Sequence, residues 1–242
     1  MEWVLTGVDD TLTWQGSLPP ETLIALQKLR DSGIKVVAVT GACAGWCDHI
    51  AQLWPVDAVL GENGALQLSS ETPLEQVRQN QAKLKQQVEA ILLSYPDLSL
   101  TLDQSYRLCE VAIDIGQNRK PVDPEIVQAV LDRIHSLGAH ATASSIHINA
   151  WYGEYSKKNA VHRFLTNKGL SLEKIHNQAC YVGDSMNDQQ MFESLTLTVG
   201  VASIQHYWDK LEHHPSKVMS EPGGYGFAEF VDALLRLKSE VI

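Results

Sequence analysis

Trp3-Val-Leu-Thr-Gly7-Val-Asp9-Asp10-Thr11-Leu12 is the stretch of sequence that decides the fold. An apolar run leads directly into a turn that carries two carboxylates and a hydroxyl. This order predicts a buried strand that delivers polar groups at its carboxyl end, where open α/β sheets bind their ligands. A parallel sheet whose first ligand-binding turn lies at residues 7–11 is therefore the starting expectation.

Alternating strand and helix patterns extend this sheet in both parts of the chain that flank its middle. Before the middle, the patterns predict a helix that ends at Gly33, a strand at 34–39, a helix at 46–53 and a strand at 56–60. After it, they predict a helix at 157–168, strands at 179–183 and 195–201, a turn at 222–226 and a closing helix at 227–238. Strands separated by helices in this way form a parallel sheet with right-handed crossovers.

The middle of the chain has a different pattern, which predicts an inserted module. A helical pattern over 75–93 precedes two alternating runs at 98–102 and 107–115, and a helix from residue 123 precedes strands around 139–143 and 145–151. This α-β-β-α-β-β order is typical of an antiparallel α+β unit. We expect a core domain of residues 1–66 and 155–242 and an inserted domain of residues 67–154.

Composition limits the possible functions and partners. The chain has 242 residues and a formal net charge of −10, so we expect no nucleic-acid partner, since such binding requires a basic surface. No apolar run has the length that spans a bilayer, no signal peptide is recognisable, and we expect no membrane partner. The four cysteines match no common zinc or redox spacing, which favours reduced thiols and a cytoplasmic location.

Polar residues follow three of the predicted strands, in Gly7-x-Asp9-Asp10-Thr11, Thr40-Gly41 and Gly183-Asp184-x-x-Asn187-Asp188. The carboxyl ends of parallel strands meet at one edge, and the pair Lys157-Lys158 lies where the chain returns to that sheet. Facing carboxylates repel one another unless a cation holds them, and hard oxygen ligands suit Mg²⁺. With Thr40 and a lysine on phosphate oxygens, these groups form an electrostatic clamp for phosphoryl transfer.

The order of these motifs resembles that of haloacid dehalogenase (HAD) superfamily phosphatases, of the subfamily IIB or Cof-like sugar-phosphatase type. Thr40 fits the second motif of that family, Lys157 the third and Gly183–Asp188 the fourth, while Gly61-Glu-Asn63-Gly64 resembles the loop before the cap. The resemblance implies an α/β fold with a Rossmann-like parallel-sheet core. It also implies that the inserted module is a cap domain of the C2 type, an α+β unit with an antiparallel sheet.

The resemblance also implies roles for individual residues and a Mg²⁺ cofactor. Asp9 is expected to act as general acid and base, and Lys157 to neutralise the phosphate. The expected metal ligands and their supports are Asp9, Asp184 and Asp188. The residues expected to bind phosphate or substrate are Asp10, Thr11, Thr40, Gly41, Asn63 and Asn187.

Two positions depart from the family pattern. Gly7 stands where the family carries the nucleophilic aspartate, so the first step of its reaction has no side chain here. Ala42 stands where many relatives carry arginine. A register shifted by two residues makes Asp9 the nucleophile, but Thr11-Leu12 aligns with the end of the first motif only without that shift.

We therefore expect a Mg²⁺-dependent phosphatase scaffold for a small phosphorylated metabolite, with a sugar phosphate as the expected class and with activity impaired by Gly7. The alternative is a catalytically silent protein of the same fold that binds a ligand or regulates a partner. A structural protein without a site is a third, weaker reading, because the fourth motif is intact. A monomer or a homodimer is expected.

Overall fold

The computed structural model describes residues 1–69, 75–76, 81–144 and 146–240. In chain order its strands are β1 (Trp3–Thr6), β2 (Lys35–Val39), β3 (Ala58–Gly61), β4 (Leu66–Leu68), β5 (Glu75–Gln76), β6 (Ser99–Leu100), β7 (Val111–Asp114), β8 (His140–Ala143), β9 (His147–Trp151), β10 (Ala179–Gly183), β11 (Leu197–Gly200) and β12 (Lys217–Val218). Its α-helices are α1 (Pro20–Asp31), α2 (Ala44–Leu53), α3 (Gln81–Leu92), α4 (Pro124–His135), α5 (Lys157–Asn167), α6 (Leu172–Gln178), α7 (Gln189–Ser194) and α8 (Gly223–Glu240).

The large sheet has β1 near its centre and the strand order β12-β11-β10-β1-β2-β3-β4-β5. From β12 to β3 all neighbours are parallel, whereas β4 and β5 extend the sheet as antiparallel strands. In β1 alternate side chains enter opposite layers, since Val4 packs with α1, α2 and α8, and Leu5 packs with α5, α6 and α7. Burial on both faces explains why this strand is a continuous apolar run.

The inserted domain is a four-stranded antiparallel sheet of order β6-β7-β9-β8. Ile113 and Ile148 on one face pack against α3 and α4 in a separate hydrophobic cluster. The alternate positions of β9, which are His147, Asn149 and Trp151, are also buried, but on the opposite face. The two sheets and their helices confirm the predicted α/β core with an inserted α+β cap.

Some predicted bounds of helices and turns were wrong. The expected domain boundary at residue 67 lies within β4, and strand pairing in the large sheet continues to β5, while the division into 1–66 with 155–242 and 67–154 stays a prediction. The helix expected from residue 75 begins at Gln81. Residues 77–80 of that expected helix and residue 145 of the strand expected at 145–151 lie outside the described residues. The turn expected at 222–226 is the first turn of α8 from Gly223 onward, because Gly226 N–H bonds to the Pro222 carbonyl.

Short elements escaped the sequence analysis. The helix α6 has seven residues and the strand β12 has two, and a 3-10 helix spans Ala202–Lys210. The strand predicted at 107–115 is reduced to Val111–Asp114, so Arg107–Glu110 form a loop at the edge of the cap. Elements this short contain too few residues for a periodic pattern to emerge.

Within the described ranges no helix combines the length and the apolar character that a membrane crossing requires. The four cysteines all lie in the described part of the chain, are buried, and form no disulfide there.

Thr22 ties the turn that follows β1 to α1. Its hydroxyl is fully buried and donates to the Leu12 carbonyl at 2.7 Å. We expect Thr22→Val, which keeps the shape but leaves that carbonyl without this donor, to lower the free energy of unfolding by about 1–3 kcal/mol. Urea denaturation measures the change. The exposed Thr166 in α5 is the control, for which the same substitution should change stability by less than about 0.5 kcal/mol; equal losses at both positions would contradict the assignment.

Candidate active site

The turn after β1 brings Gly7 and Asp9 to the carboxyl edge of the sheet. Gly7 N–H donates to the Val182 carbonyl of β10 at 2.9 Å, which extends the strand pairing by one residue. Asp10 then takes a left-handed backbone conformation with φ of 51°. The reversal leaves Asp9 lining a crevice between core and cap.

Thr11 occupies the space beside Gly7. A Cβ built on Gly7 would lie 2.6 Å from the Thr11 hydroxyl oxygen and 3.2 Å from its Cβ. The same hydroxyl donates to Asp184 Oδ1 at 2.8 Å, and Thr11 is fully buried. Thr11 therefore orients Asp184 from behind, and a side chain at position 7 requires Thr11 to move.

Asp188 is the buried anchor of the fourth motif. Its Oδ1 accepts from Lys157 Nζ at 2.8 Å and from the Tyr181 hydroxyl at 2.5 Å. Its Oδ2 accepts from the backbone N–H groups of Asp184 at 2.9 Å and Ser185 at 3.3 Å. Burial acts to raise the pKa of Asp188, but Lys157 and these hydrogen bonds outweigh it and lower the pKa. Asp188 is thus a fully engaged carboxylate.

Lys157 reaches Asp188 from the start of α5. The Ser156 hydroxyl accepts from Asn159 N–H at 3.2 Å and caps this helix, which places Lys157 in the first turn with only 8% of its surface exposed. The neighbouring Lys158 points away and pairs with exposed Glu193 at 3.1 Å. Of the two lysines, Lys157 is therefore the one that lines the crevice.

Asp184 and Asp9 carry the unbalanced negative charge of the site. Desolvation raises the pKa of Asp184 well above its ordinary value, and the charge of Asp188 adds to this, while Thr11 and Lys157 oppose it. Desolvation by the surrounding protein also raises the pKa of Asp9, with a further contribution from Asp10. Both carboxyl groups are therefore placed where a bound cation would stabilise their charged forms.

The Thr40–Gly41 segment forms the opposite wall of the crevice. Thr40 follows β2 directly, is 98% buried, and accepts from Ala42 N–H through its hydroxyl oxygen at 3.0 Å. The Gly41 carbonyl points to the cap, where it accepts from Arg107 Nη1 at 2.8 Å and from Asn149 Nδ2 at 3.2 Å. Ala42 itself carries no cation, and the guanidinium nearest this segment comes from Arg107 of the cap.

Core and cap enclose the crevice together. The space within it that water-sized molecules can occupy is about 40 Å³, and the crevice opens to solvent. The core residues that line it are Gly7, Val8, Asp9, Val39, Thr40, Gly41, Lys157, Asp184, Ser185 and Asn187. The cap residues are Thr142, Ser144, Ile146, His147 and Asn149.

Three expected substrate-binding residues lie outside this lining. Asp10 accepts from Gln15 N–H at 3.1 Å through Oδ1 and stabilises the turn instead. Thr11 is turned to Asp184, and Asn63 donates to Glu110 of the cap at 2.9 Å. Asn187 does line the crevice and also donates to Asn63 Oδ1 at 3.4 Å. The sequence predicted that these residues lie near the site, but it did not predict the direction in which their side chains point.

The sequence analysis missed the cap side of the site. His147 and Asn149 occupy alternate positions of β9 and share one buried face. Burial, followed by the charge of Arg107, lowers the pKa of His147 to about 4, so its imidazole is neutral at pH 7. Polar residues at alternate positions of a predicted strand were the available signal, because both faces of that strand had to be covered. Arg107 and Glu110 gave no such signal, since they lie in a loop.

The chemistry of the carboxylates fits a divalent cation in part. Asp9 and Asp184 offer oxygen ligands at one edge of the crevice, whereas both oxygens of Asp188 are already engaged. In the described part of the chain no group of three or more His, Cys, Asp and Glu side chains is arranged to hold a metal ion. A hard cation here would rely on two carboxylates, backbone oxygens and water.

Comparisons with known proteins agree with this fold. Residues 4–106 match the family described as haloacid dehalogenase-like hydrolase. A phosphoglycolate phosphatase of Pyrobaculum islandicum is 26% identical over 238 residues, covering 96% of this chain and 95% of that protein. A Thermoplasma acidophilum structure superposes with a TM-score of 0.74 at 17% identity, covering 96% and 97% of the two chains. A HAD subclass IIB sugar phosphatase gives 0.65 at 13% identity, covering 90% and 93%.

Lys157→Met should destabilise the protein because it leaves Asp188 buried without its cation. We expect a loss of about 3–5 kcal/mol at pH 7 in chemical denaturation. The folded pKa of Asp188 lies below 3.8, so the contribution of the pair is present above that value and disappears as pH falls through the folded pKa. The difference from wild type should therefore shrink in acid. Lys158→Met, at an exposed pair, should cost less than about 1 kcal/mol; a similar loss in both variants would refute the buried-pair assignment.

Glu110→Gln should change how stability depends on pH. Burial raises the pKa of Glu110 from 4.5 to about 7, and Glu62 adds to this, while Arg107, Asn63 and Asn149 oppose it. The folded protein thus holds this proton more tightly than the unfolded chain, and the wild type loses stability as pH rises from 4.5 to 7. Glutamine cannot titrate, so the stability difference between the two proteins should change by about 2–3 kcal/mol across that window. A difference independent of pH would contradict the assignment.

Proposed function

We propose that the chain is a haloacid dehalogenase-like hydrolase, and specifically a phosphatase for a small phosphorylated metabolite, with turnover impaired by Gly7. The observation that carries the proposal is the crevice itself. At the carboxyl ends of β1, β2 and β10, a lysine, a threonine and two crevice-facing carboxylates converge on a space enclosed by the cap. This combination suits a phosphate group and offers no obvious use to a purely structural protein.

Each residue then has a physical role toward a phosphate monoester. Lys157, held by Asp188, places a cation beside the phosphate oxygens, and Thr40 offers a hydroxyl and a turn of backbone from the other wall. Asp9, whose pKa is raised by desolvation, lies where it can pass a proton to the leaving oxygen. Asp188 supports these groups without contacting the substrate. The cap residues His147 and Asn149 face the leaving group and exclude water.

A Mg²⁺ ion is part of the proposal. Asp9 and Asp184 would hold it, and Asp188 would support Asp184 by accepting a hydrogen bond from the Asp184 backbone N–H. When bound, such an ion compensates the charge of the phosphate and of both carboxylates. The position of Asp9 and Asp184 in the lining of the crevice supports this assignment, and desolvation, which raises the pKa of both, leaves their charged forms to be stabilised by a cation.

The lining of the crevice favours a polar substrate. Its cap wall presents a neutral imidazole, an amide and hydroxyls, which suit the hydroxyl groups of a sugar phosphate or the carboxylate of a phosphorylated hydroxy acid. The curated relative is named a phosphoglycolate phosphatase, and one structural neighbour is a sugar phosphatase. The proposed enzyme is cytoplasmic, is a monomer or a homodimer, and acts without a nucleic-acid or membrane partner.

Gly7 favours a second candidate function, a silent phosphate-binding protein. The Thr11 hydroxyl lies within 2.6 Å of where a nucleophile's Cβ would be, so the turn is packed around glycine. Removal of a covalent nucleophile commonly lowers kcat by several orders of magnitude. Residual hydrolysis then depends on water activated in the crevice.

Hydrolysis by the wild type, Gly7→Asp and Gly7→Asn tests the proposal. Aspartate and asparagine displace Thr11 equally, so they differ only in the nucleophile. We expect Gly7→Asp to exceed both the wild type and Gly7→Asn by at least about a hundredfold in kcat/KM on a panel of sugar phosphates and phosphoglycolate with Mg²⁺. Both variants should lose about 1–3 kcal/mol of stability through the Thr11 contact.

The outcomes separate the two functions. Inactivity of Gly7→Asp on every phosphate, in a protein that folds and binds Mg²⁺, removes the phosphatase proposal. Binding of inorganic phosphate without turnover in any of the three proteins favours the silent protein. A wild type as fast as Gly7→Asp shows instead that Asp9 is the nucleophile, in which case Asp9→Asn abolishes activity.

A further inference from the structure

A buried carboxylate of the core holds the edge of the cap. Glu62 follows β3, has no exposed surface, and accepts hydrogen bonds from three consecutive cap amides. Its Oε1 accepts from Leu108 N–H at 2.8 Å, and its Oε2 accepts from Cys109 N–H at 2.7 Å and Glu110 N–H at 2.8 Å. Oε1 also accepts from Ala44 N–H of the core at 3.2 Å. One carboxylate thus joins backbone groups of both domains.

Two side chains of the cap donate to the same backbone carbonyl of the core. Arg107 Nη1 and Asn149 Nδ2 both donate to the Gly41 carbonyl, at 2.8 and 3.2 Å. The Arg107 side chain is completely buried and also pairs with Asp103 at 3.1 Å and with Glu110 at 3.5 Å. The wall of the crevice that carries Thr40 is therefore fixed by groups that belong to the other domain.

Glu110 connects the two contacts. Its carboxyl accepts from Asn63 of the core at 2.9 Å and from Asn149 of the cap at 2.7 Å, beside Arg107. The resulting chain of polar contacts runs from Glu62 to Gly41 across the domain interface. Water can replace these polar contacts when the interface opens, whereas the apolar packing of Cys109 and Trp151 into the core cluster favours the closed form.

We propose that Glu62, Arg107 and Glu110 form a core–cap latch, and that Arg107 is a positioning residue that holds the Thr40–Gly41 segment in place only while the cap is closed. When the cap lifts, the Gly41 carbonyl loses both cap donors and the segment gains freedom. The site for phosphate is then completed by the same movement that encloses it. The role of the latch in completing a phosphate site rests on the proposed function, whereas the latch contacts themselves do not.

Amide hydrogen exchange tests the latch without any assay of activity. In the wild type the amides of Leu108, Cys109 and Glu110 should be protected, and Glu62→Gln and Arg107→Gln should each speed their exchange at least about tenfold. The Ala42 amide, bonded to the Thr40 hydroxyl, reports on the segment and should also exchange faster in Arg107→Gln. Amides of β1 and β7 show whether each domain remains folded. If Glu62→Gln does not fold, Arg107→Gln alone decides.

Arg163→Gln is the matched control, because Arg163 Nη2 donates to the Gly64 carbonyl at 3.3 Å within the core. It should leave the exchange of residues 108–110 and of Ala42 unchanged. Unchanged exchange at 108–110 in both latch variants overturns the latch, and unchanged exchange at Ala42 in Arg107→Gln overturns the positioning role. Calorimetry with inorganic phosphate and Mg²⁺ judges the proposed function separately. If neither the wild type nor Gly7→Asp binds inorganic phosphate or hydrolyses a phosphate ester, that function is refuted, while the exchange data still decide the latch.

Discussion

Four hydrogen bonds converge on the carboxylate of Asp188, and the geometry of the site depends on them. They join the first turn of α5 to the end of β10, two elements separated by the whole of α6. Without this acceptor Lys157 would have no reason to remain buried, and the backbone at Asp184 would lose the contact that directs its side chain into the crevice. A single buried anion thereby sets the position of both a cation and a second anion, which is the usual way in which a charged site is made rigid.

Buried charged groups also join the two domains. At their interface a carboxylate accepts from backbone amides and a guanidinium donates to a backbone carbonyl. These hydrogen bonds fix how the two domains align, and water can replace them when they break. The hydrophobic cluster of the core also includes Cys109 and Trp151 of the cap, so apolar packing crosses this boundary beside the polar contacts. The boundary is therefore held both by hydrogen bonds that fix its register and by apolar burial that favours the closed arrangement.

How far the sequence could predict this arrangement depended on the kind of element. The strands β1, β2 and β10 are buried on both faces, so their apolar runs revealed them, and Asp9, Thr40 and Asp184 were found because they follow those runs. The cap loop at 107–110 was mistaken for strand because its apolar residues resemble one. What holds that loop is Glu62, 45 residues before it and in another domain, and no local pattern encodes so distant a partner.

The packing at Gly7 has a consequence for any substitution at that position. The Thr11 hydroxyl bonds to Asp184 in a position that leaves too little room for any side chain at residue 7. A side chain introduced there must displace Thr11, so its effect depends on the rotamer at residue 11. This contact predicts that substitutions at positions 7 and 11 do not act additively on stability.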